Sequence, residues 1–374
     1  VKELPEEIQQ LDREILEFIS RGMDDPDEEG FNHLARRCFE IQYTHIELYQ
    51  RYCRRREAFP GEVSSWLHIP ALPTDAFKAA DLALFPSCAV STFMTSGTSQ
   101  PEERGKVTYD EGGLALMDAT IREAASAFLF PDGIKALILI LAPPPGLAPH
   151  MVMAHGMNRL KEGFGLPGSR FLVGETGLQV QSLVDELQRS QKEGIPTAIF
   201  GGSFGFVNFF DYCRDKGLRF QLPPGSRCLD AGGFKGKSRE VGREEFFHSC
   251  EAVLGIPPEY AVNLLGMTET ASQFYDNTLR NYHMGRHGPT AKVNPPWTRT
   301  LVVDPDTLEP LPDGEAGLLR HFDLANRGHI GAIQTDDMGK RVAGGFEVLG
   351  RAVGGGQRGC SLTIDEMTRI AEGR

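Results

Sequence analysis

Three short stretches of this chain carry residue types suited to a phosphorylated ligand. The first is Thr95-Ser96-Gly97-Thr98-Ser99, which follows a β-like apolar run and precedes the charged residues 102–106. Hydroxyl side chains around a glycine let backbone N–H groups converge into a nest for phosphate oxygens. Arg104 and Lys106 would add positive charge. The Walker spacing is absent, and a plain polar loop is the competing reading. The second stretch, Gly266-Met267-Thr268-Glu269-Thr270, follows the apolar run 260–265 and so sits at a strand end, where α/β sheets bind ligands. A single carboxylate together with substrate phosphates is a common way to hold Mg²⁺. The alternative is a helix start, with Thr268 as cap and Glu269 in the first turn. The third stretch is Gln334-Thr335-Asp336-Asp337-Met338-Gly339, with Gly350-Arg351 after it. Adjacent carboxylates accept hydrogen bonds from a diol such as that of ribose, and an arginine pairs with phosphate. A charged hairpin turn is the alternative here.

The elements that must position these stretches change character along the chain. Residues 1–60 carry helical patterns: Ile8, Leu11, Ile15 and Phe18 share one face, as do Phe31, Leu34, Cys38, Ile41, His45, Leu48 and Tyr52. This spacing predicts two long helices. From about residue 90, strand patterns at 90–94, 136–141, 170–173, 197–200, 227–231 and 260–264 alternate with helical ones near 112–128, 178–193, 204–216 and 238–253. Alternation of this kind predicts α/β layers with mainly parallel strands. Over 297–349 the strand patterns at 300–303, 317–321, 331–334 and 346–349 follow one another without helices, which predicts a small antiparallel β subdomain. Met151-Val152-Met153, the aromatics of 204–210 and Met267 are read either as lining for an apolar tunnel or as core. His150 and His155 lie near that stretch.

Composition narrows the function classes. The 374 residues are 40% hydrophobic and 24% charged, enough for a large core, with a net charge of −12. That sign argues against long-range attraction to nucleic acid or anionic membrane. The basic run Arg54-Arg55-Arg56 reads as a solvated helix end. Seven cysteines at wide spacing, with no C-x-x-C, suggest neither a disulfide framework nor a zinc site. The longest strongly apolar run, 136–142, is about a third of a membrane span. With no secretory pattern at the start, a cytoplasmic location is expected.

The order of the motifs resembles the adenylate-forming superfamily of acyl-CoA synthetases and nonribosomal adenylation domains. A hydroxyl loop near 95, Gly-x-Thr-Glu near 266, Thr-x-Asp near 335 and Gly-Arg near 350 follow in that superfamily's sequence, with Pro312-Asp313-Gly314-Glu315-Ala316-Gly317 before the third. Within it, Ile69-Pro70-Ala71-Leu72-Pro73-Thr74-Asp75-Ala76-Phe77-Lys78, Gly232-Gly233-Phe234-Lys235-Gly236 and Arg358-Gly359-Cys360-Ser361-Leu362 are similar to the acyl-protein synthetase (LuxE-type) family. The resemblance implies the large domain of an adenylate-forming enzyme over 1–349, and over 350–374 a Gly-rich hinge with a truncated tail, most of the C-terminal domain being absent.

The same resemblance implies the chemistry. ATP and a carboxylic acid, in that family a fatty acid, would give an acyl-adenylate. Thr95, Ser96, Gly97, Thr98 and Ser99 would hold phosphates, Thr268 would contact the α-phosphate and Glu269 would hold Mg²⁺. Gly232, Gly233 and Phe234 would border the adenine, with Gly266 opening the second motif; Asp337 would bind the ribose hydroxyls and Arg351 would lie nearby. Cys360 would be the acylated thiol, and an acyl-accepting reductase or carrier protein the partner. Gln100 stands where the family usually has glycine. Two other readings are an aryl- or amino-acid ligase that uses CoA or a carrier protein, and a non-catalytic nucleotide- or acyl-binding subunit.

Overall fold

A computed structural model describes residues 3–95, 104–232 and 242–352. The chain divides into two compact units: unit 1 draws on Val1–Glu123, Met267–Ser272 and Ala291–Arg374, unit 2 on Ala124–Gly266 and Gln273–Thr290.

Unit 1 opens with helices α1 (Glu6–Ser20), α2 (Glu28–His45) and α3 (Glu47–Arg55). Ile8, Leu11, Ile15 and Phe18 form the buried stripe of α1, the 3.6-residue periodicity turned inward. Asp27 caps α2, its Oδ1 accepting from the Gly30 N–H at 2.7 Å. The second expected helix does not run through to Tyr52. It breaks at the buried Ile46 (φ −101°, ψ 94°) and restarts as α3. In α3 the Tyr49 and Tyr52 hydroxyls reach the carbonyls of Pro70 and Ala71 at 2.7 and 3.0 Å. Tertiary hydrogen bonding thus overrides a continuous helical period. Arg54, Arg55 and Arg56 are exposed at the end of α3, as expected of a solvated run.

The strands of unit 1 are β1 (Leu72–Pro73), β2 (Ser91–Met94), β3 (Lys106–Tyr109), β4 (Thr298–Val303), β5 (Ala316–Asp323), β6 (Ala332–Val342) and β7 (Gly345–Arg351). β4, β5, β6 and β7 form an antiparallel series, and β1 joins β6 in parallel register, Leu72 opposite Ile333 and Pro73 opposite Gln334. β2 and β3 form a separate antiparallel pair. The expected strand at 331–334 extends to Val342, so Asp336 and Asp337 lie within β6 and not in a hairpin turn.

Unit 2 is the parallel layer. Its sheet runs Phe274–Tyr275, Ala261–Leu265, Arg227–Asp230, Thr197–Gly201, Leu137–Leu141, Arg170–Phe171, parallel throughout except for the Phe274–Tyr275 edge. The strands at 137, 197 and 227 are buried at every position, as in sheets covered on both faces. Leu139, Ile199, Leu187, Phe206, Phe210 and Phe246 belong to one buried cluster. The helix Val152–Phe164 has no counterpart among the expected elements; Ala154, Met157 and Leu160 form its buried face, and His155 and Gly156 interrupt the apolar signal. Phe206, Phe209 and Phe210 are core, whereas Phe204 is exposed. No described helix is long and apolar enough to cross a membrane.

Candidate functional site

Unit 1 brings together what the sequence separates. Thr95 closes β2, donating its N–H to the Gly105 carbonyl at 2.8 Å and accepting from the Gly105 N–H at 2.9 Å through Oγ1. The root of the hydroxyl-rich loop is thereby pinned at both ends. A Cβ on Gly105 would lie 3.1 Å from the Phe77 carbonyl and from Thr95 Cγ2, so this close approach favours glycine. Segment 74–78 therefore packs on the base of that loop. Its other flank reaches the third stretch, where the Thr74 N–H donates to the Gln334 carbonyl at 3.1 Å. The Thr268 hydroxyl lies 3.5 Å from the Met94 carbonyl, at the outer limit of a hydrogen bond, beside Thr95. Roots of all three motifs thus converge in one unit. Ser96, Gly97, Thr98 and Ser99 lie outside the described residues, as do Gly233, Phe234 and Cys360.

Thr268 and Glu269 occupy a turn and no helix follows directly, which removes the helix-cap alternative. Thr268 is buried and Glu269 half-buried. The loop 267–272 is held by side chains at the end of β5 and in the segment after it. Asn326 donates through Nδ2 to the Glu269 carbonyl at 2.9 Å and accepts at Oδ1 from the Ala271 N–H at 2.7 Å. Asp323 accepts from the Ser272 N–H at Oδ2 and from the Ser272 hydroxyl at Oδ1, both at 2.8 Å. Burial pushes the Asp323 carboxyl up to about 6, against the pull of those donors. Next to Asn326, the buried Arg327 guanidinium bonds Asp12 of α1 at 2.5 and 2.8 Å and Asp110 at 2.7 and 2.8 Å. That packing excludes a Cβ at Gly112, which would collide with the Asp12 carboxylate.

The third stretch presents charge on β6 and β7. Asp337 stands opposite Arg351 in register, with Oδ1 3.4 Å from Nε. Partial desolvation and the nearby Asp75 raise the Asp336 carboxyl above its ordinary range; Arg351 and Lys78 pull the other way. Lys78 itself pairs with Asp75 at 2.5 Å.

In unit 2 a polar cluster sits at the carboxyl ends of the parallel strands. Ser203, at the start of the helix Ser203–Lys216, donates to Asp230 Oδ1 at 2.8 Å and also meets the Gly232 carbonyl. Asn263 Nδ2 donates to the Asp230 carbonyl and to its Oδ2, both at 3.0 Å. Gly232 and Gly266 are exposed next to this cluster's strands. Ser203, Asp230, Asn263, Asp323 and Asn326 escaped the sequence reading. A polar residue closing or interrupting an apolar strand run, such as Asp230 or Asn263, was the available signal.

Among the described residues, no group of three His, Cys, Asp or Glu side chains forms a ready metal cage. The six described cysteines are all buried. Burial pushes the thiols of Cys38 and Cys53 up to about 12 and that of Cys213 to about 11, the wrong direction for a nucleophile.

Comparison with known proteins adds three findings. The family described as acyl-protein synthetase, LuxE, matches residues 22–368. The long-chain-fatty-acid--luciferin-component ligase of Vibrio harveyi is 22% identical over 346 residues, covering 90% of this chain and 87% of that relative; the ligase of the same name from Aliivibrio fischeri is 21% identical over 355 residues, covering 88% and 86%. Among solved structures, an open conformation of 2-hydroxyisobutyryl-CoA ligase in complex with 2-HIB-AMP and CoA superposes with a TM-score of 0.63 at 12% identity, covering 89% of this chain and 77% of that one. At that identity the likeness concerns the fold, which is that of an adenylate-forming enzyme.

Proposed function

The chain belongs to the LuxE acyl-protein synthetase family, and from that premise we propose that it activates a long-chain fatty acid with ATP and passes the acyl group to its own Cys360 thiol. In the first half-reaction a carboxylate oxygen bonds to the α-phosphorus of ATP. The bond to the bridging oxygen breaks, and pyrophosphate departs with the electron pair. In the second, the thiolate bonds to the acyl carbon, AMP leaves with the electron pair of the acyl C–O bond, and the thiol proton goes to solvent. An acyl-accepting protein would then take the chain from the thioester.

The meeting in unit 1 of Thr268 with the end of β2 beside Thr95, and of Thr74 with Gln334 just before segment 335–337, carries this reading. Thr95 and the loop it roots bind phosphates, Thr268 orients the α-phosphate, and Asp337 with Arg351 binds ribose. The family resemblance implies the adenine for Gly232, Gly233, Phe234 and Gly266. The work is positioning and charge neutralisation, which needs no side-chain nucleophile in the first half. The residues fit Mg²⁺ bound in company with phosphates: one half-buried carboxylate, Glu269, on a loop with fixed backbone, and among the described residues no cage that would hold the ion alone. Bound there, Mg²⁺ would offset charge on the phosphates. The six described cysteines are buried, and the resemblance of Arg358-Gly359-Cys360-Ser361-Leu362 to the family supports Cys360 as the acceptor.

Intact-mass measurement after incubation with ATP, Mg²⁺ and mixed fatty acids tests the proposal. It predicts an adduct of acid minus water that hydroxylamine removes and that Cys360→Ala lacks. Equal adducts on both proteins would remove Cys360; no adduct and no acyl-AMP on either would remove the activity.

A further inference from the structure

We propose that Asn326 is a positioning residue for the adenylation step, fixing the backbone from which Glu269 presents its carboxylate. The inference rests on the reading of the site given above. Its ground is the way one side-chain amide spans the loop: Nδ2 donates to the Glu269 carbonyl at 2.9 Å and Oδ1 accepts from the Ala271 N–H at 2.7 Å. These bonds orient both peptide planes around Thr270, and with them the direction in which the Glu269 side chain leaves the main chain. The loop has no helix or strand to do this.

Asn326 is itself immobilised. It is fully buried, and its carbonyl accepts from Gln42 Nε2 of α2 at 3.1 Å. Its Nδ2 also donates to the Ile330 carbonyl at 3.0 Å. The next residue, Arg327, is locked between Asp12 and Asp110. α1 and α2 therefore brace the clasp through two adjacent residues. A site that must place charge within a fraction of an ångström needs such backing, because small misplacements cost large factors in rate.

The discriminating variant is Asn326→Asp. It keeps the shape and the acceptor for Ala271 but sets an oxygen against the Glu269 carbonyl. The expected result is a fall in kcat of acid-dependent ATP–pyrophosphate exchange of about 10- to 100-fold. The Mg²⁺ concentration for half-maximal exchange should rise, and calorimetry should show that Mg²⁺ no longer strengthens ATP binding as it does in wild type. Leu34→Ala, in the buried face of α2, supplies a destabilised control whose Mg²⁺ dependence should match wild type. Should Asn326→Asp fold poorly, Asn326→Ser is read the same way. Wild-type Mg²⁺ dependence in the Asn326 variants would overturn the proposal alone. A wild type that binds ATP but shows no exchange with any acid would overturn the functional reading and this proposal with it.

Discussion

Glu269 and Asp337 are the two carboxylates proposed for the nucleotide, and the protein holds them in opposite ways. Glu269 rides on a loop whose backbone is clasped by Asp323 and Asn326, both buried and backed by the Arg327 ion pairs. Asp337 sits in a regular strand and pairs across the sheet with Arg351, whose side chain is 75% exposed; strand register sets its direction. The difference separates two routes to a fixed charge. A loop must borrow order from buried polar groups, which are worth much because they are desolvated. A strand inherits order from its ladder, and an ion pair whose arginine is mostly in solvent contributes little to stability.

The largest break in this contrast is Arg327→Ala. It leaves Asp12 and Asp110 as unpaired buried carboxylates and should cost about 3–5 kcal/mol in urea unfolding. Glu269→Gln comes next. Stability should stay near wild type while kcat for exchange falls about 10²- to 10³-fold, the scale for losing one group that offsets transition-state charge. Asp323 gives a pH test. Its folded carboxyl at about 6 lies above the 3.8 it has when unfolded, so the unfolded chain releases this proton first. Its contribution therefore opposes folding fully above pH 6, and the opposition fades as pH falls toward 4, at up to about 1.4 kcal/mol per pH unit. Asp323→Asn should remove that component from the pH profile of stability between 4 and 6, leaving the profile of the other groups. Arg351→Ala should have the smallest effect on folding, under about 1 kcal/mol, while raising KM for ATP more than it lowers kcat. A loss of stability as large as that of Arg327→Ala would erase the distinction drawn here.

Much of the fold was legible because period and breakers carried it. The α/β alternation placed the strands at 137, 197, 227 and 261 within a residue or so of where they lie. The motif order singled out Thr95, Thr268, Glu269 and Asp337 by their local sequence, and the structure brings Thr268 to the end of β2 beside Thr95. What stayed hidden was set by partners far away in the chain. Nothing near Asn326 marks it as the clasp of a loop 55 residues earlier, and Arg327 reads as a surface charge until Asp12 and Asp110 are brought to it. The break at Ile46 and the extension of β6 through Asp336 and Asp337 escaped for the same reason. Local propensity is weak there and tertiary hydrogen bonds decide.

Fatty-acid-dependent exchange of labelled pyrophosphate into ATP tests the central claim most directly, since it reports the first half-reaction without any acceptor. The account predicts Mg²⁺-requiring exchange with long-chain acids in wild type and its loss in Glu269→Gln. Undiminished exchange in Glu269→Gln, or ATP binding by wild type without exchange for any acid, would contradict it.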